Sequence, residues 1–431
     1  MSDYMFMLDS HLSSDQSRVV SDVQTAATQA NMNIFLTGGA MRDMLGGFPI
    51  QEIDFTLEGN TIKLAQMIAK KTGAKVTSTD ENRKLAQMVF PSGVRATLAM
   101  ARQEKFAKPG AKPAVRPATI HEDLRGRDFT INSIALSLNP ASRGLLLDPT
   151  NGVGDLERKE LRAVSNYTLY DDPIRLLRLL RFKVKLGYNI EERTRMQYEN
   201  AREAQLETRI GAEELLEELR HIANEANCAD VIRTLEEEKL LPLFSPALAG
   251  KVNHPGLQKL QKARQLIPFG VDLHVDGMGL FLYFLADKLS AKERAAFAKG
   301  VGLTRKEVEQ WQQIEAKSKK LEKELKSAKL QKPSHIYQAL SKAPGEQILF
   351  LLAHSSERLV QDRIKNYLQK YLPSALEVTE KDVVAAGAQP GTPKFQKLRE
   401  QLILTKLDAR PKKVAPPPEA APAPAAAMAR K

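Results

Sequence analysis

Residues 34–58 place the tightest constraint on what this chain of 431 residues can fold into. They read Ile34-Phe-Leu-Thr-Gly-Gly-Ala-Met-Arg-Asp-Met-Leu-Gly-Gly-Phe-Pro-Ile-Gln-Glu-Ile-Asp-Phe-Thr-Leu-Glu58. The apolar run Ile34 to Leu36 breaks at Gly38-Gly39, where residues without a Cβ let backbone N–H groups approach a phosphate closely. Ala40 to Leu45 is predicted as a short helix stopped by Gly46-Gly47. After Pro49, Ile53, Phe55 and Leu57 alternate with Glu52, Asp54 and Thr56, the period of a half-buried strand. The grammar is strand, glycine turn, helix, strand, with Glu52 and Asp54 on one face. Side chains at i and i+2 of a strand start about 7 Å apart and can converge on one cation. Two carboxylates facing a glycine phosphate clamp point to metal-assisted nucleotidyl transfer. An ordinary turn beside the solvated side of an edge strand carries the same short patterns, so the downstream residues decide between the two.

Around this stretch the chain reads as an α/β head. Ser13, Ser14 and Asp15 offer caps to a helix over 13–31 whose Val19, Val20, Val23, Ala26 and Ala27 share a face. A second helix is predicted over 60–72 with Gly73 as its stop, followed by strands at 74–78, 85–90 and 94–99. Residues 105–120 hold three prolines, one glycine and four basic residues. That is loop composition, compatible with a mobile lid or a plain connector. Arg125, Arg127 and Asp128 then precede an apolar run, and a strand is expected at 160–164.

At 171–187 the helix start is signposted by Pro173 at the first helical position and by Asp171 or Asp172 as a cap. Arg175, Arg178 and Arg181 recur along one stripe, while Leu176, Leu179, Leu180 and Val184 form another. Asp172 falls one turn before Arg175, and a carboxylate beside a guanidinium complements the hydrogen-bonding edge of a nucleobase. A capped, solvent-exposed basic helix is the alternative reading. From 190 to about 410 the pattern is almost entirely helical, with breaks at Pro242, Pro255, Pro268, Pro333, Pro344 and Pro373. Trp311, Phe244, Phe281, Phe284 and Phe350 are expected in the core, and the lysines of 317–332 form either a solvated face or a phosphate-backbone contact.

The expected fold is therefore α+β and mostly α, a small mixed-sheet head followed by an extended all-helical remainder. The predicted units are a head over 1–165, a neck over 166–225, a body and tail over 226–410, and a disordered Pro/Ala-rich segment over 411–431. Lys and Arg total 64 against 52 Asp and Glu, a formal charge of +12, which favours a polyanionic partner, nucleic acid before membrane. The single cysteine, Cys228, excludes an internal disulfide and fits a reducing, cytoplasmic setting. Neither a secretory leader nor a run of about 18 apolar residues is apparent, so no membrane association is expected.

Together these residues resemble the class II tRNA nucleotidyltransferase and poly(A) polymerase family, which includes the CCA-adding enzymes. Thr37-Gly-Gly-Ala-Met-Arg-Asp43 is similar to the family's GGxxRD element, and Glu52-Ile-Asp54 stands where its D-x-D pair lies. Arg127-Asp-Phe-Thr-Ile-Asn132 matches R-D-F-T-x-N, and Asp171 to Phe182 matches E-D-x-x-R-x-x-R-x-x-R-F. The resemblance implies that Glu52 and Asp54 act as catalytic carboxylates and Mg²⁺ ligands. It implies nucleotide contacts from Gly38, Gly39, Arg42, Asp43, Arg127, Asp128 and Asn132, and base selection by Asp172, Arg175, Arg178 and Arg181. It further implies CTP and ATP as substrates and tRNA as the partner held by the helical body. Three departures accompany it: Glu52 replaces the usual Asp, Thr97 occupies a position often acidic, and Glu213-Glu214 lacks an expected arginine. CCA addition is the expected activity, with poly(A) synthesis or partial CC or A addition beside it, and a catalytically silent RNA-binding protein as the alternative from another class.

Overall fold

The computed structural model describes residues 4–409 except 49, 269, 270 and 272. The segment 411–431, expected to be disordered, lies outside the described residues. The head is built on strands β1 (Asn33–Thr37), β2 (Glu52–Glu58), β3 (Lys75–Asp80), β4 (Leu85–Val89), β5 (Arg95–Met100), β8 (Ala135–Ser137) and β9 (Leu146–Leu147). They form one sheet in the order β3-β4-β5-β2-β1-β8-β9. β2 and β5 run parallel and the other neighbours antiparallel, so the sheet is mixed. β2, the strand carrying Glu52 and Asp54, sits centrally between β1 and β5 rather than at an edge. That placement removes the reading of the two acids as the solvated side of an edge strand.

Helix Ser14–Gln29 covers the sheet with Val19, Val20, Val23, Ala26 and Ala27 buried. Its start is a capping box between Ser13 and Gln16, an arrangement worth about 1 kcal/mol. Helix Thr61–Thr72 begins at the Asn60 cap and ends at Gly73, whose φ of +76° is the left-handed turn that glycine adopts without strain. The expected loop 105–120 proves to contain structure. β6 (Arg102–Lys105) pairs antiparallel with β7 (Ala114–Pro117), and helix Ile120–Arg125 follows. A separate two-stranded ribbon tolerates proline because its outer backbone donors need no strand partner. The tip of this hairpin leans on the neck, where the Gly110 N–H donates to the Asp171 carbonyl and a Cβ on Gly110 would lie 2.5 Å from the Arg209 carbonyl oxygen.

β10 (Glu160–Leu161) and β11 (Asn189–Ile190) pair in parallel and bracket helix Ile174–Leu186. Pro173 precedes that helix in helical conformation, but Asp172 does not cap it; its carboxylate turns to Arg175 instead. Among the described residues beyond Ile190 the regular elements are all helical. Trp311, Phe244, Phe281, Phe284 and Phe350 are all buried, within one apolar cluster that runs from Leu8 to Leu368. Pro373 does not break the chain as expected. Residues Tyr367–Tyr371 form a π-helical turn, which absorbs the missing proline donor, and helix Leu372–Leu376 continues directly. Among the described residues no helix is long and apolar enough to cross a membrane.

Candidate active site

The glycine turn and β2 meet at Asp54. A Cβ on Gly39 would lie 3.0 Å from Asp54 Oδ2 and one on Gly38 would lie 3.3 Å from it, so only glycine leaves the carboxylate room. Gly38 also has φ +62°, a conformation that L side chains adopt with strain. The Ala40 N–H points at the same oxygen at 3.4 Å. Two guanidiniums flank the turn, Arg127 with Nη1 3.6 Å from the Gly38 Cβ position and Arg42 with Nη2 3.5 Å from that of Gly39.

Both arginines are held by acids or amides of the head. Arg42 is buried, donates from Nε to Asp43 and from Nη1 to Asn132 Oδ1 at 2.9 Å, and lies over the Phe182 ring. Arg127 donates from Nε and Nη2 to Asp123 Oδ2, from Nη2 to Thr56 Oγ1 and from Nη1 to the Asn132 carbonyl. Asp123 was not singled out from sequence, although its i, i+4 spacing from Arg127 on a helical turn is the signal that finds it. Asn132 Nδ2 donates to Asp128 Oδ1 at 3.0 Å, and Arg178 Nη1 donates to Asp128 Oδ2 at 2.8 Å. Arg175 Nε donates to Asp172 Oδ2 at 3.1 Å. One hydrogen-bonded chain thus runs Arg42, Asn132, Asp128, Arg178, from the glycine turn to helix Ile174–Leu186. Burial opposes ionisation of Asp128, but Arg178 and then Arg175 outweigh it and hold its carboxyl well below the usual range.

Arg181 stands apart from this chain. Its Nε donates to Glu218 Oε1 at 2.6 Å and its Nη1 to Glu225 Oε1 at 3.0 Å, so the structure joins it to acids in the middle and at the C-terminal end of helix Ala212–Asn224 rather than to Asp128 or Asp172. Glu218 is 1% exposed among Leu215, Leu216, Leu219 and Ile222. An acid on the apolar face of a predicted helix was the sequence signal for it.

The carboxylate pair has the chemistry of a cation site. Asp54 is pushed up to about 6, first by burial and then by the charge of Glu52. Two hard oxygen donors in close proximity suit a divalent cation. Thr97 is the register partner of Asp54 across β2 and β5, so a hydroxyl occupies the place where a third acid would stand. Among the described residues no group of three or more His, Cys, Asp or Glu side chains gathers around a possible metal position.

Residues 34–162 match the family model of the Poly A polymerase head domain. An A-adding tRNA nucleotidyltransferase of Halalkalibacterium halodurans is 38% identical over 194 residues, 45% of this chain and 45% of that protein. The A-adding tRNA nucleotidyltransferase of Geobacter sulfurreducens is 26% identical over 411 residues, 93% of this chain and 46% of that protein. The chain thus spans less than half the length of these curated relatives. Among solved structures, an apo form of a CCA-adding enzyme shares the fold with a TM-score of 0.54, at 24% identity and 96% coverage of both chains. The chain thus carries a Poly A polymerase head domain over residues 34–162 and is similar along most of its length to a protein named as an A-adding tRNA nucleotidyltransferase.

Proposed function

We propose that this protein is a template-independent tRNA nucleotidyltransferase that adds CMP and AMP to tRNA 3′ ends, completing CCA. The observation that carries the reading is the bonded chain from the glycine turn through Arg42, Asn132 and Asp128 to Arg178, which ties a phosphate clamp in the head to the helix that also carries Arg175. Glu52 and Asp54 would hold Mg²⁺, which when bound activates the primer 3′ hydroxyl and neutralises charge on the triphosphate. Gly38 and Gly39 bring backbone donors close to the triphosphate, with Arg42 and Arg127 behind them supplying positive charge. Asp172 and Arg175 present an acceptor and a fork of donors to the base, oriented by Arg178 on Asp128. In the body, Lys317, Lys320, Lys329 and Lys342 line a groove of about 740 Å³ with Glu324 as its one carboxylate, a surface that suits an RNA phosphate backbone. These roles assign catalysis to the head, base selection to the neck and RNA retention to the body and tail, in a soluble cytoplasmic enzyme.

Addition of A alone is the second reading, favoured because both relatives described above are named A-adding enzymes. Labelled CMP and AMP, offered separately and together with Mg²⁺ to tRNA transcripts ending before CCA, before CA and before A, separate the two. Ordered C, C, A addition to the shortest transcript supports the first reading. AMP incorporation only into the transcript that lacks the final A supports the second. AMP polymerised on unstructured RNA indicates a poly(A) polymerase, and retention of tRNA without incorporation indicates a silent binding protein.

Two substitutions test the assigned roles. Gly39→Ala forces the Asp54 carboxylate to shift by a few tenths of an ångström, and kcat/KM for incorporation is expected to fall about tenfold with little change in Tm. Arg175→Lys keeps the charge but loses the planar fork. Discrimination between correct and incorrect nucleotide is expected to relax by about tenfold, as the loss of a charge-assisted hydrogen bond implies, measured as a ratio of kcat/KM values for CTP, ATP and UTP.

A further inference from the structure

Arg95 opens β5 directly beside Glu52, the two residues being register partners across the parallel strands. Its guanidinium reaches in two directions. Nη1 lies 3.5 Å from Glu52 Oε1, and Nη2 donates to His274 Nδ1 at 3.0 Å. A guanidinium has no lone pair to offer, so Nδ1 is the acceptor and the ring proton sits on Nε2. His274 comes from the helical body, 179 residues later in the chain. Its segment is seated there: a Cβ on Gly345 would lie 2.4 Å from the His274 carbonyl oxygen, and Asp276 accepts a bond from Gln310 Nε2 at 2.7 Å. Arg95 therefore links the carboxylate pair of the head to a fixed point on the body.

The Arg95 and Glu52 side chains remain 41% and 49% exposed, and an ion pair so wetted is weak and readily exchanged. Glu52 can serve a divalent cation only by giving up this partner, because the guanidinium and the cation compete for the same carboxylate oxygens. We propose that Arg95 is a positioning residue that passes between Glu52 and His274, so that the body governs how readily Glu52 becomes a cation ligand. Without a cation, Arg95 offsets the repulsion between Glu52 and Asp54. With Glu52 engaged elsewhere, His274 retains the guanidinium and keeps its charge from being stranded. The inference rests on Glu52 and Asp54 being the metal ligands.

Two substitutions should then act with opposite sign. Arg95→Ala removes the competitor for Glu52, whereas His274→Ala removes the alternative partner and leaves the guanidinium to Glu52 alone. Binding of Mn²⁺ to the full chain, followed by the electron paramagnetic resonance of the free ion, reads both effects without recourse to activity. Arg95→Ala is expected to tighten Mn²⁺ binding about two- to fivefold and His274→Ala to weaken it by a similar factor, the range set by an exposed ion pair. Asp54→Asn should lose the site. If Arg95→Ala binds Mn²⁺ no more tightly than the parent, or His274→Ala no more weakly, the proposal is overturned, while loss of the site in Asp54→Asn still upholds the metal reading. Mn²⁺ uptake indifferent to Asp54→Asn overturns both. Should Arg95→Ala not fold, Arg95→Gln keeps most of the stem and is judged by the same rule.

Discussion

Asp54→Asn is expected to lower nucleotide incorporation by at least about a thousandfold while making the metal-free protein more stable at neutral pH. The first half follows from removing a charged ligand whose cation supplies several kcal/mol of transition-state stabilisation. The second follows from the raised carboxyl, which sits at about 6 in the fold because of burial and the neighbouring Glu52. Between pH 4 and 6 the folded chain holds a proton there that the unfolded chain releases, so the wild type loses stability as pH rises through this window. Asparagine has no such penalty. In EDTA the stability advantage of Asp54→Asn should be small at pH 4, grow to about 2–3 kcal/mol by pH 7, and then level off. Incorporation assays beside melts at a series of pH values check both halves. A variant that is inactive but less stable at pH 7 would show Asp54 to be a structural residue, and the metal assignment would fall with it.

This opposition between stability and activity explains the surroundings of Asp54. Gly38 and Gly39 crowd its oxygen, Arg42 and Arg127 lie close enough to lower its pKa in part, and both guanidiniums are already bonded to Asp43, Asn132, Asp123 and Thr56. The arginines proposed to meet the triphosphate thus have fixed positions in the unliganded chain, which would lower the cost of ordering them on binding. Arg178 is similarly anchored by Asp128, and Arg175 by Asp172. The site is preorganised around charge pairs, with Asp54 the member whose charge the protein leaves least compensated.

What was legible in the sequence is what depends on local chemistry. The strand, glycine turn, helix and strand of residues 33–58 follow from period and glycine placement, and the structure adds only that the helix starts at Gly38 itself. The helix after Pro173 was readable for the same reason. The paired strands 102–105 and 114–117 were not, because three prolines and a glycine signal a loop, whereas the pairing depends on cross-strand partners such as Gln103 and Arg116. Nor could the stripe of Arg175, Arg178 and Arg181 be divided by role. All three share one helix face; Asp172 lies only one turn from Arg175, but the partners that separate Arg178 from Arg181, Asp128 and Glu218, are distant in the chain. Arg95 was passed over because its neighbour His274 is distant in the chain.

Glu218→Ala should expose the difference between Arg181 and its neighbours. Arg181, Glu218 and Glu225 are all buried, and burial alone would favour their neutral forms. The charges persist because they satisfy one another: Arg181 holds the Glu218 carboxyl below its ordinary range, and Lys185 with Arg181 does the same for Glu225. Removing one partner of a buried pair leaves the other charge without its hydrogen bonds and costs about 3–5 kcal/mol. Glu225 remains to bond Arg181, so the lower end is expected, a fall in Tm of roughly 3–5 °C for a chain of this length. The loss should shrink in acid. A carboxyl with a depressed folded pKa contributes stability above its unfolded value, near 4.5, and loses it as pH falls further toward the folded value. If Arg181 is structural, the KM values for CTP and ATP measured well below the new Tm should stay within about threefold of the parent, and Arg181→Met/Glu218→Leu should recover much of the stability, because apolar residues of similar volume can replace a buried ion pair. A stable Glu218→Ala protein with a raised KM would instead return Arg181 to the nucleotide pocket that its place in the E-D-x-x-R-x-x-R-x-x-R-F pattern implies.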